Sequence, residues 1–101
     1  MEVLRRFANR LDEAADRLSA TAPAALHLAP PASAFGVDAP GCLGELGRAL
    51  YAEVVAATTD RGREARVAAG WLAETADALR AAGDAYAASD EAARRRLRGE
   101  P

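Results

Sequence analysis

The sequence predicts an all-α protein: a helical hairpin with a short first helix and a long second one, forming part of a helical bundle. Three observations lead to it. Alanine, leucine, arginine and glutamate dominate the chain, and adjacent β-branched residues occur only at Val54-Val55 and Thr58-Thr59. Apolar residues recur at three- and four-residue steps over two separate stretches. A proline-punctuated segment lies between them.

The first helix is predicted over residues 2–20. Val3, Leu4, Phe7, Leu11, Ala14, Ala15 and Leu18 make one apolar stripe, and Glu2, Arg5, Arg6, Asn9, Asp12, Glu13, Asp16 and Arg17 fill the other face. Glu2–Arg6 and Glu13–Arg17 are i,i+4 pairs in the favourable order, each contributing a few tenths of a kcal/mol. Residues 21–39 are the connector, because Pro23, Pro30, Pro31 and Pro40 each disfavour helix in the preceding residue. Asp38 or Ala39 is the expected cap of the second helix, with Pro40 in its first turn.

The second helical region is predicted over residues 40–97. Its seam runs through Leu43, Leu46, Leu50 and Val54, weakens after Ala57, and recovers at Trp71, Leu72 and Leu79, with near-heptad spacing. The weak middle, Thr58-Thr59-Asp60-Arg61-Gly62, combines N-capping side chains with a glycine, so periodicity alone leaves the helix continuous, kinked or broken there. An unbroken helix of this span is on the order of 85 Å long. The first helix then covers only part of it, and the face from Trp71 onward is expected to fold back or to meet another chain.

Composition narrows the function. The chain has 101 residues, which is one small domain, with a net charge of −2. Large apolar residues are scarce, so alanine-faced helices bury little area per residue, and a lone chain is expected either to be marginally stable or to self-associate without a partner. Cys42 is the only cysteine and His27 the only histidine, which leaves no metal-ligand set, and no cofactor is expected. No nucleophile–base constellation occurs, so an enzyme is not expected. Residues 1–10 carry Arg5, Arg6 and Arg10 among the apolar positions, unlike a signal peptide, and no run is long and apolar enough to span a membrane. Arg94-Arg95-Arg96 and Arg98 read as a solvated helix end favoured by the macrodipole rather than as a nucleic-acid patch.

The layout of a short helix, a Pro/Ala connector ending in Ala34-Phe35-Gly36 and a long alanine-rich helix resembles the EspC-like group of type VII (ESX) secretion proteins, distant relatives of the Trp-X-Gly helical hairpins. The run Leu79-Arg80-Ala81-Ala82-Gly83-Asp84-Ala85-Tyr86-Ala87-Ala88-Ser89-Asp90 adds to it. Within that run, Tyr86-x-x-x-Asp90 is similar to the export signal of type VII substrates, and its i,i+4 spacing puts phenol and carboxylate on one helical face. The chain departs from the Trp-X-Gly pattern, because its tryptophan sits at Gly70-Trp71-Leu72. Phe35 and Gly36 are then expected to make the turn, with glycine supplying tight backbone geometry.

The resemblance implies a non-catalytic protein, cytoplasmic before export and then secreted or at the cell surface. Its implied partners are the secretion machinery and another helical protein, a type VII partner or a larger effector, met by helix–helix heterodimerisation. The expected partner-binding seam is Leu43, Leu46, Leu50, Val54, Trp71, Leu72 and Leu79. The competing reading is a cytoplasmic adaptor, chaperone or antitoxin-like binder that uses the same seam and treats Tyr86 as packing.

Overall fold

The computed structural model describes residues 2–100. Two α-helices, α1 (Glu2–Ala25) and α2 (Gly41–Leu97), form a helical hairpin, with two 3₁₀ turns, Leu26–Leu28 and Ala32–Phe35, between them. There is no strand among the described residues. The first helix runs past residue 20, where the sequence predicted its end, and carries Pro23 inside its last turn. Pro23 has no N–H to offer the Ser19 carbonyl, so the helix crosses it with one ladder bond missing and ends two residues later. Thr21 Oγ1 donates to the Leu18 carbonyl at 2.7 Å within the same turn. The connector therefore begins at residue 26 rather than 21. At its far end Pro40 lies just outside α2, one residue before the helix begins.

Through residues 58–62 α2 is continuous. The side chains of Thr58, Asp60 and Arg61 are satisfied inside the helix. Thr58 Oγ1 donates to the carbonyls of Val54 and Val55 at 3.1 and 3.0 Å, a back-bonded arrangement that occupies the hydroxyl without a cap. Arg63 pairs with Asp60 at 3.2 Å and Arg61 with Glu64 at 2.8 Å, both at i,i+3.

Small side chains mark the packed faces of both helices. In α1 the buried residues are Ala8, Ala15 and Ala22, seven apart; in α2 they include Gly62, Ala69, Ala76 and Gly83, also seven apart. Leu4, Leu11 and Leu18 precede the α1 alanines by four, and Ala65, Leu72 and Leu79 hold the same place in α2, all half-buried. This is a heptad repeat with one small residue per repeat, which lets two helices approach more closely than leucine-only seams allow. No large side chain is fully buried among the described residues. Cohesion comes from close backbone approach and many weak contacts rather than from large apolar plugs.

The chain divides into two compact units. One joins the segment ending at Asp16 to the segment beginning at Ala69, and the other is Arg17–Ala68. In the first unit Leu4, Leu79 and Gly83 line a common cleft, so α1 lies against the second half of α2. The stretch from Leu72 to Leu79, expected to lack cover, is instead partly covered by the first helix. In the second unit Gly62 faces the backbone of Ala22: a Cβ at Gly62 would stand 2.9 Å from the Ala22 carbonyl oxygen.

The two helical glycines Gly62 and Gly70 separate packing from propensity. A larger residue at Gly62 must push the helices apart, and overpacking of this kind costs about 1–3 kcal/mol. Gly70 has open space around its Cβ position. Gly62→Val is expected to lower the melting temperature, and Gly70→Ala to raise it by several degrees through a helix-propensity gain of up to about 1 kcal/mol. Thermal unfolding followed by circular dichroism reads both; equal effects at the two positions would contradict the close approach at Gly62.

Candidate protein-interaction surface

The turn is built from backbone contacts that only small residues permit. Gly36 ends the second 3₁₀ turn in the left-handed region, at φ 66° and ψ 35°, and its N–H donates to the Ser33 carbonyl at 3.3 Å. Gly41 takes φ 70° at the entry to α2. The buried Gly44 and Gly47 then leave room for the connector backbone: a Cβ at Gly47 would collide with the Phe35 carbonyl, and one at Gly44 with that of Ala39. Arg48 closes the arrangement by donating to the Val37 carbonyl at 2.7 Å. The half-buried Phe35 ring lies 5.5 Å from that of Tyr51, tilted by 54°. Sequence reading singled out Phe35 and Gly36 but missed Gly44, Gly47 and Tyr51. The signal that would have found them is the spacing Gly41-x-x-Gly44-x-x-Gly47, three glycines at helical steps.

A polar clamp holds the first unit along one edge. The Arg80 guanidinium donates to Asn9 Oδ1 at 3.0 Å and pairs with the Asp12 carboxylate and, along its own helix, with Asp77 at 3.4 Å. Asn9 and Asp12 are one turn apart on α1, so one planar fork meets both. The periodic pattern gave no hint of this, because it treats Asn9, Asp12 and Arg80 as solvated. Their sequence separation makes the contact tertiary.

The predicted seam divides in two. Leu72 and Leu79 are half-buried at the heptad position that Leu4 and Leu11 hold in α1, and so contribute to packing within the hairpin. Val54 is half-buried as well. Leu43, Leu46, Leu50 and Trp71 face outward, with Trp71 72% exposed. The sequence reading gave all seven one phase. A continuous helix of this length carries more than one apolar face, and α1 takes only one of them. Val3 and Phe7 of α1 are exposed too. Isolated exposed apolar residues are ordinary; rows of them at helical spacing make this face a candidate interaction surface.

Tyr86 and Asp90 lie on the last four turns of α2, both exposed, on a helix that continues to Leu97. Tyr86 borders an open hollow with Ala82, Ala85 and Ser89, a surface of small side chains around one ring. Among the described residues Asp90 has no ion pair, whereas Glu91 is held by Arg94 and Arg98 at 3.9 and 3.5 Å. His27 and Cys42 are both exposed. No helix among the described residues is long and apolar enough to cross a membrane. Removing the clamp with Arg80→Ala is expected to cost about 1 kcal/mol, because the Arg80 and Asp12 side chains are 35% and 40% exposed and solvent screens the pair. A double-mutant cycle with Asp12→Asn, read by urea denaturation, is expected to show positive coupling; additive losses would mean the pair carries no net stability.

The chain matches no protein-family model, no curated protein and no solved structure.

Proposed function

We propose that the chain is a type VII secretion substrate or secretion-associated protein, which binds a helical partner through its exposed apolar stripes and carries its export signal at Tyr86 and Asp90. The observation that carries this reading is the joint exposure of Tyr86 and Asp90 on one face of an uninterrupted helix. A receptor that reads a phenol and a carboxylate one turn apart needs both free and held in fixed geometry, and a helix supplies that spacing. Supporting it are the short-helix, turn, long-helix order and the Phe35-Gly36 turn, features shared with the EspC-like layout. Leu43, Leu46, Leu50 and Trp71 supply the apolar surface for the partner.

A secretion assay in a host with a type VII system tests the signal. Tyr86→Ala and Asp90→Ala are each expected to abolish export while helicity is retained, because exposed helical positions tolerate alanine within about 0.5 kcal/mol. Tyr51→Phe, which keeps its ring beside Phe35, serves as the control and stays exportable. If Tyr86→Ala and Asp90→Ala are exported like the parent, the export reading fails and a non-secreted adaptor takes its place.

The partner surface has its own test. Trp71→Ala is expected to leave thermal stability nearly unchanged, since the ring is mostly solvated, and to weaken partner binding by about tenfold or more. A large drop in the stability of the free chain would instead place the ring in the hairpin's packing.

A further inference from the structure

We propose that a helical partner for the Leu46/Leu50 stripe is a second copy of this chain, whose α1 docks there in parallel through Val3, Phe7 and Arg10. This rests on the proposed role of the exposed stripes in helix pairing and not on the export signal.

The argument begins with two rows of exposed side chains. On α1, Val3, Phe7 and Arg10 stand at i, i+4 and i+7; on α2, Leu46, Leu50 and Glu53 stand at the same three steps. Val3 and Leu46 are 70% and 66% exposed, and Phe7 and Leu50 are 55% and 53% exposed. The i, i+4, i+7 spacing is that of successive seam positions in a two-stranded coiled coil. Laid parallel in this register, Val3 meets Leu46, Phe7 meets Leu50, and Arg10 meets Glu53. Neither Arg10 nor Glu53 has an ion pair among the described residues. The same offset brings Ala14 opposite Ala57 and Arg17 opposite the oppositely charged Asp60, which within its own chain pairs with Arg63.

Charge excludes the like-with-like alternatives. Parallel pairing of α1 with another α1 sets Arg10 against Arg10, and parallel pairing of the Leu46 stripe with itself sets Glu53 against Glu53. Only the cross pairing neutralises both. Two apolar pairs and one ion pair make a contact well below the roughly 1,600 Å² of a standard stable interface, so the expected affinity is micromolar. The contact is heterologous, joining different surfaces of the two copies. Each copy therefore keeps one donor stripe and one acceptor stripe, and association either closes on itself or propagates.

Heterologous contacts allow a complementation test by sedimentation velocity on the purified chain. The parent is expected to show a mass that rises with concentration in the micromolar range. Phe7→Asp removes the α1 stripe and Leu50→Asp the α2 stripe, so each variant alone is expected to stay monomeric. Mixed, they are expected to form a 1:1 pair, because one variant retains the acceptor and the other the donor. Arg10→Glu is expected to weaken association about tenfold, and Arg10→Glu with Glu53→Arg in the same chain to restore it. The charge-swap pair decides the matter if either aspartate variant loses helicity. A parent that stays monomeric to about 1 mM overturns the proposal. So does a mixture that does not pair, a charge swap that does not restore, or a parent that binds only an unlike helical protein at this stripe. Tyr86→Ala is expected to leave self-association unchanged, so failure of this contact and failure of the export reading are observed in different assays.

Discussion

Everything in this structure depends on the small side chain that occupies every seventh position on the packed faces of both helices. Ala8, Ala15 and Ala22 in α1, and Gly62, Ala69, Ala76 and Gly83 in α2, let backbone approach backbone, as the position of Gly62 beside the Ala22 carbonyl shows. Close approach multiplies weak dispersion contacts, but it leaves no space for leucine or phenylalanine between the helices. The large apolar residues are therefore displaced to the margins of the seam or beyond it. An alanine-centred hairpin and a chain with exposed Leu, Phe and Trp are one fact seen from two sides.

Specificity within each unit then comes from polar and backbone features. Alanine faces slide past one another with little penalty, since one alanine resembles the next. In the first unit Arg80 fixes the register by reaching Asn9 and Asp12 together. In the second, the connector backbone seats against Gly44 and Gly47, with Arg48 bonding Val37 and Phe35 resting on Tyr51. Both devices select one alignment among many that alanine packing would allow, which is the role buried or half-buried polar contacts play in other helical assemblies.

The large apolar side chains stand outward because the inward positions are so small. Leu46 and Leu50 on α2 and Val3 and Phe7 on α1 carry most of the apolar area that a helical partner could remove from water. Trp71 stands apart from the heptad positions that α1 covers, with its ring free for contact at modest entropic cost. Tyr86 and Asp90 sit further along the same helix, among alanines and serine that leave their two functional groups unobstructed.

By itself the sequence determined the all-helical class, the short-then-long order of helices and the end of the second helix near residue 97, because propensity and periodicity are local properties. It also determined that Tyr86 and Asp90 share a face, which follows from helical geometry alone. The end of the first helix was misplaced by five residues, since Pro23 is tolerated in a last turn but reads as a breaker. Continuity through Thr58–Gly62 was undecided, because a threonine hydroxyl serves a cap or its own helix equally well, and only the folded chain shows which. Which apolar residues face inward was decided by tertiary structure: a long helix offers several stripes, and periodicity cannot say which one the first helix will cover. The Arg80–Asn9–Asp12 clamp and the seating of the connector on Gly44 and Gly47 likewise belong to the fold. They join residues whose proximity comes from chain reversal, and no local pattern records it.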